Sequence, residues 1–409
     1  MSKRTRASGK VLAARVLSGV VAVVLALGVA EVAFRALWLK RLTVGSGLDD
    51  PRFHHRPKPY ETYHYTSEEF DVTIRTNRFG LRGPDPVLPK PPGRMRILML
   101  GDSYTFGFPV RDEETFSHLI EAGLRERGYN VDVINGGVSG YSSTLEYLSL
   151  RDQFLAFEPD LVILWFDLGD VQEDAWYQKN LLYDEAGRIV RCDPRYVNGR
   201  FAWWEWSKEH LALAKYLDTR VVRTVQKLQV LGFARYLQIA MRGQRAKNVI
   251  AQLKAQERTE RIGEYERFLL VRDWATEEIV APAWATTTGY LARIHELLRE
   301  RSIPFMIGLY PYGMLVGPQQ WAEGRTYWDF ERGRTYDATL MLSLFERWAA
   351  EQEVPLINTF GRFREAAARE KLFYDWDGHF TPAGHHVAAT AVMWHPVFRR
   401  VLDQFESRR

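Results

Sequence analysis

"RILMLGDSYTFG", Arg96 to Gly107, is the stretch that decides the fold. An apolar run, Ile97–Leu100, ends in Gly101-Asp102-Ser103, and Gly107 follows shortly after. Apolar runs without polar alternation are characteristic of strands buried on both faces. A polar tip after such a strand sits where one end of the sheet opens to solvent. A serine there either turns the chain or is presented as a nucleophile.

Outward from this stretch a strand-helix rhythm repeats. The pattern predicts a strand over Arg96–Leu100, a helix over Glu114–Arg127 stopped by Gly128, and a strand over Val131–Ile134. Ser143-x-x-Glu146 has the spacing of a capping box opening a further helix. Leu161–Phe166, "LVILWF", reads as a third buried strand. After an interruption the rhythm resumes with a helix over Thr288–Arg301 and a strand over Phe305–Tyr310. A helix around Asp337–Glu351 and a short strand Pro355–Asn358 follow, and the last helix opens near Pro382. Such alternation implies an α/β protein, a three-layer α/β/α arrangement around a parallel sheet.

The flanks give the domain plan. Residues 1–10 form a basic tail with Lys3, Arg4, Arg6 and Lys10, and residues 11–39 read as a transmembrane anchor. Val16–Ala30 carries no charge, and Val11–Ala14 extend it toward the roughly 20 apolar residues a span needs. Trp38 beside Lys40 and Arg41 resembles an interfacial belt. The rival reading is a cleaved signal peptide with a small-x-small site at Gly28-Val29-Ala30. Both put the main domain outside the cytoplasm; the first gives a single-pass inner-membrane protein with its N-terminus inside. Residues 40–94 are a juxtamembrane lead-in, containing a strand around Val72 and Ile74, a turn over Asn77–Gly80 and a proline-rich spacer. Residues 95–174 and 283–409 are the two halves of the α/β domain, split by a largely helical insertion, 175–282. Within the insertion, Thr219–Lys247 carries seven basic residues and no acid. That is either a solvated face or a surface for an anionic polysaccharide or lipid headgroups.

A formal net charge of +4 over 409 residues gives no reason to expect a nucleic-acid partner. The one cysteine, Cys192, can form no intramolecular disulfide. Asp375, Asp377, His379, His385 and His386 make one short cluster without a second ligand segment, so no metal and no cofactor are expected.

Four segments gather where an open parallel sheet holds its sites: "GDSYTFG", "NGGVSGYSS", "DLGDVQED" and "YDWDGHFTPAGHH". A serine, glycine-lined turns and an Asp/His pair are what acyl transfer requires. The hydroxyl needs a base, the base an orienting acid, and the developing oxyanion needs N–H donors. The Gly-x-Ser-x-Gly elbow is absent, because Thr105 stands where its second glycine belongs.

The set resembles the SGNH (GDSL) hydrolases, a family of esterases, lipases and acyltransferases. The "DGH" of Asp377–His379 resembles its membrane-anchored bacterial members and the alginate-type O-acetyltransferases, and the upstream "TNRFGLRG" and the following "DEETFSHLIEAGL" resemble the same anchored group. The resemblance implies Ser103 as nucleophile, His379 as base and an oxyanion hole at Ser103, Gly140 and position 169, with Asn135 opening the second block. In "DLGD", Gly169 stands where the family's oxyanion asparagine belongs. Losing such a donor costs on the order of 10²–10³ in rate. The acid two before the histidine is Asp377, with Asp375 the alternative; Asp102 and Asp167 are further candidates, read first as turn or cap residues. The implied activity is that of an extracytoplasmic serine esterase or O-acetyltransferase. It would act on an acylated carbohydrate or other ester substrate of the envelope or of an exported polysaccharide. A transferase would need a multi-span membrane acyltransferase as partner. The reading from another class is a non-catalytic polysaccharide-binding or assembly module of the same fold.

Overall fold

The computed structural model describes residues 48–194 and 267–407, with isolated helical positions between 15 and 32. Those two long segments fall in one compact unit, Gly47–Val197 with Ala255–Arg409. The basic tail, most of the anchor and the basic stretch of the insertion lie outside the described residues. Among the described residues no helix is long and apolar enough to cross a membrane.

The lead-in forms two small antiparallel ladders. Strand β1 (Leu48–Asp50) pairs with β2 (His54–Arg56), and β3 (Thr62–Thr66) pairs with β4 (Asp71–Arg75). The Asn77 side chain accepts the N–H groups of Phe79 and Leu81 and so closes the expected turn. The lead-in contributes to the core: Phe53, Ile74 and Leu81 are buried. Buried Arg82 pairs with Asp112 and donates to the carbonyls of Gly107 (2.6 Å) and Val110 (2.9 Å). A guanidinium's five donors suit it to gather such carbonyls.

The α/β unit then runs β5 (Met95–Leu100), α1 (Ser103–Phe106), α2 (Phe116–Glu126), β6 (Val131–Asn135), α3 (Ser143–Asp152), β7 (Leu161–Phe166) and α4 (Asp170–Tyr177). A hairpin of β8 (Leu181–Tyr183) and β9 (Ile189–Cys192) follows. The second half is α5 (Glu277–Arg299), β10 (Phe305–Leu309), α6 (Thr339–Glu351), β11 (Leu356–Asn358), α7 (Phe360–Ala367), α8 (Pro382–Met393) and α9 (Pro396–Glu406).

The sheet order is β11-β10-β7-β5-β6, every pair parallel. Helices α2, α7 and α8 pack together in one layer, and α3, α4 and α5 in the other. Every residue of the central strands β5 and β7 is buried, each large apolar side chain stabilising the fold by about 1.5–3 kcal/mol. Gly308 on β10 lets the Trp165 indole lie against the strand, because a Cβ there would be 2.7 Å from the ring.

Two local expectations fail. Ser143 and Glu146 make no capping box: the helix cap is Ser142 without a side-chain bond, and both Glu146 oxygens are buried without a partner. Asp174 on α4 does the capping instead, accepting the Thr144 N–H and hydroxyl, each at 2.8 Å. Helix α5 begins well before Thr288. Its cap is Thr276, which accepts the Ile279 N–H, and Pro282 lies inside it.

Candidate active site

Three loops leave the carboxyl ends of β5, β6 and β7, and a fourth runs from Tyr374 into α8. The first is set by Gly101 and Asp102. A Cβ at Gly101 would fall 2.1 Å from the Thr105 hydroxyl, so only glycine fits this turn. Asp102 caps α1 by accepting the Tyr104 N–H at 2.9 Å, which leaves Ser103 as the first helical residue. Its N–H is among those with no partner inside the helix.

His379 Nε2 lies 2.8 Å from Ser103 Oγ, and its Nδ1 lies 2.5 Å from Asp377 Oδ1. A carboxylate accepts only, so Nδ1 carries the proton and the Nε2 lone pair faces the serine hydroxyl. Burial pushes the Asp377 carboxyl up, but the His379 charge and hydrogen bonds outweigh it and hold the acid below its ordinary range. Tyr104 and Phe108 flank the imidazole, their ring centres 4.7 and 5.2 Å away. The Tyr104 hydroxyl donates to the Gly378 carbonyl at 2.8 Å and ties the serine helix to the histidine loop.

The two candidate acids separate here. Asp375 Oδ1 accepts Lys371 Nζ at 2.6 Å and the Ala322 N–H at 3.2 Å, on partners other than the imidazole. The loop itself is held from outside. Glu69, between β3 and β4, accepts the consecutive N–H groups of Asp375 (2.5 Å), Trp376 (3.1 Å) and Asp377 (3.1 Å). His385 lies apart, buried against Phe116, with burial lowering its pKa to about 3.

Gly140, expected in the oxyanion hole, has φ 78°, a left-handed conformation natural to glycine. The Ser139 carbonyl accepts from His55 Nε2 at 2.8 Å. In a trans peptide the N–H points opposite to the C=O, so His55 turns the Gly140 N–H away from itself. The Tyr177 hydroxyl donates to the Gly140 carbonyl at 2.6 Å, and the Tyr141 hydroxyl to the His55 carbonyl at 2.9 Å. Burial lowers the His55 pKa, which keeps the ring neutral.

The remaining candidates are turn-builders. Asn135 accepts the Gly137 N–H at 3.0 Å and donates to the Phe106 carbonyl at 3.4 Å, shaping the second loop. Asp167 accepts the Tyr310 and Tyr312 hydroxyls on Oδ2, each at 2.7 Å, and the Gly169 N–H on Oδ1 at 2.5 Å. Gly169 therefore has no donor side chain, and its backbone N–H is engaged by Asp167. Burial, then the charge of Asp167, raises the Asp102 carboxyl to about 8. Its Oδ2 is 3.3 Å from Ser103 Oγ, a longer contact than the histidine's.

The arrangement brings Ser103, His379 and Asp377 into one hydrogen-bonded line. That is the equipment for attack on a carbonyl carbon. Glu69, His55 and Tyr177, which brace it, belong to no motif: they reach the site only through tertiary contacts.

Residues 99–387 match the family model described as GDSL-like Lipase/Acylhydrolase family. A curated arylesterase of Vibrio mimicus is 32% identical over 75 residues. That alignment covers 18% of this chain and 38% of that protein, so the chain spans well under half the relative's length. Among solved structures, the acetyl xylan esterase AlAXEase is 13% identical, with 73% of this chain and 98% of that chain covered and a TM-score of 0.36. TesA is 12% identical, with 75% and 99% covered and a TM-score of 0.37.

Proposed function

Because the chain belongs to the GDSL-like lipase/acylhydrolase family, whose members act on ester bonds, we propose that it is a serine esterase for O-acyl groups, acetyl foremost, on envelope or exported carbohydrate. The observation that carries the esterase reading is the unbroken Asp377–His379–Ser103 line at 2.5 and 2.8 Å. His379 takes the Ser103 proton as Oγ bonds to the carbonyl carbon. Asp377 keeps the imidazole in the required tautomer and stabilises its charge. Collapse of the tetrahedral intermediate expels the alcohol, which receives the proton from His379, and water then repeats the sequence on the acyl-enzyme.

The carbohydrate part of the proposal rests on two supports. The "TNRFGLRG" and "DGH" signatures resemble those of anchored bacterial O-acetyltransferases. Trp376, next to the triad acid, is 47% exposed and offers a flat aromatic face at the site's edge. The apolar 11–39 segment supports an extracytoplasmic location on a membrane anchor. Transfer to a sugar in place of water would require an acyl donor from a multi-span membrane partner.

The test is labelling by a fluorophosphonate probe together with acetate release from p-nitrophenyl acetate and from acetylated oligosaccharide. Wild type should label and release acetate from both, and Ser103→Ala should do neither. An unlabelled wild type would leave a non-catalytic binding module. Acetate release from the nitrophenyl ester alone would overturn the carbohydrate assignment, and acetyl transfer to added oligosaccharide outpacing hydrolysis would make the protein a transferase.

A further inference from the structure

The third oxyanion donor is missing at its usual place, since Gly169 has no side chain and its N–H is bonded to Asp167. Arg267 fills the space. A Cβ built on Gly169 would stand 3.0 Å from Arg267 Nε and 3.5 Å from its Cγ, and 2.6 Å from Asp167 Oδ1. The arginine side chain thus runs through the volume that a side chain at position 169 would enter. Its Nε is buried without a hydrogen-bond partner. A buried charged donor left unpaired is destabilising and calls for an acceptor.

The guanidinium is also fixed and kept charged. Its Cζ lies 5.3 Å from the Trp328 ring centre and 6.0 Å from that of Phe268. Burial alone would lower its pKa, but Tyr312, Asp167, Glu173 and Asp102 surround it and raise the pKa well above the ordinary value. The same point beside Gly169 adjoins Asp167, whose carboxylate accepts the Tyr310 hydroxyl at 2.7 Å; that hydroxyl lies 3.3 Å from Asp102, which in turn is 3.3 Å from Ser103 Oγ.

We propose that the Arg267 guanidinium is the oxyanion donor that replaces the asparagine side chain absent at Gly169. The proposal rests on the esterase reading. As Ser103 Oγ bonds to the ester carbon, its proton goes to His379 Nε2 and the carbonyl π pair moves onto oxygen. The resulting alkoxide accepts from the Ser103 and Gly140 N–H groups and from Arg267. The pair returns to re-form the carbonyl as the alcohol leaves with the proton from His379. A charged donor strengthens more than a neutral amide as negative charge builds on oxygen, so the benefit falls in the transition state and is read in kcat.

The experiment is steady-state hydrolysis of p-nitrophenyl acetate by the full chain, with melting temperature measured on every variant. Arg267→Ala should lower kcat on the order of 10²–10³ with KM nearly unchanged. Arg267→Lys, which keeps charge and bulk but lacks Nε, should lose at least about tenfold. An Arg267→Ala variant with kcat within about threefold of wild type overturns the proposal. So does a raised KM at unchanged kcat, which would make Arg267 a ground-state binding residue. A wild type inert toward both ester and fluorophosphonate would instead overturn the esterase reading itself.

Discussion

Glu69 and Asp377, 308 positions apart, meet through a hydrogen bond from the Asp377 N–H to Glu69 Oε2 at 3.1 Å. With the N–H groups of Asp375 and Trp376 on the same carboxylate, the backbone makes a small concave anion nest around it. The loop carrying the acid and base of the triad is thereby held by a turn of the lead-in. Glu69→Ala should lower kcat on the order of 10- to 100-fold through misplacement of the imidazole. Glu69→Gln, which keeps an acceptor oxygen, should retain more activity than Glu69→Ala. Equal kcat in all three proteins would show that the loop holds its shape unaided.

The two acids beside the histidine should part sharply in kinetics. Asp377→Asn removes the acceptor that sets the imidazole tautomer, and kcat should fall on the order of 10⁴. Asp375→Asn changes a contact to Lys371 and the Ala322 N–H, and its kcat should stay within about tenfold. Measuring both at one pH is sufficient, and the reverse ranking would move the orienting role to Asp375.

His55 holds the Ser139–Gly140 peptide, and the proposed mechanism makes that peptide an oxyanion donor. His55→Ala frees the Ser139 carbonyl and with it the direction of the Gly140 N–H, so kcat should drop on the order of 10² with little change in KM. His55→Gln restores a donor of similar reach and should recover part of the loss. A variant whose only change is a lower melting temperature would reduce His55 to packing.

Glu146 gives a prediction about stability against pH. Burial first, then neighbouring acids with Asp174 foremost, raise its carboxyl well above the ordinary value. The folded state therefore keeps a proton that the unfolded chain releases above about pH 4.3. Between the unfolded and folded pKa values the native state binds more protons, so this group makes stability fall as pH rises through that window. Asp102, raised to about 8, acts in the same direction. Glu146→Gln removes one such contribution. Its melting temperature relative to wild type should climb steadily from pH 5 to pH 8, and a constant difference would contradict the buried neutral carboxyl.

How much of this is legible in the sequence follows from which interactions are local. Leu161–Phe166 has no polar alternation and is a strand with every residue buried, since burial on both faces leaves a direct compositional trace. Ser103 and His379 stand in short turns whose glycines and caps are neighbours in sequence, and Thr381 and Pro382 start α8 as their types require. The failures share one cause. Ser143 and Glu146 have capping-box spacing, but Asp174 reaches across from α4 and takes the donors. The helix expected from Thr288 begins at Glu277, because Thr276 caps it and its first turns bury Val280 and Ala283 around Pro282. Glu69, His55 and Arg267 carry no pattern at all, because each acts on a partner that only the folded sheet brings near.

The lead-in also bears on where the chain can be divided. A fragment beginning at Met95 would contain all five strands of the central sheet and the whole triad. It would lack both struts, His55 behind the Gly140 peptide and Glu69 beneath the histidine loop. The catalytic unit in the practical sense of expression and engineering thus starts at about residue 47, some fifty positions before the first strand of the sheet.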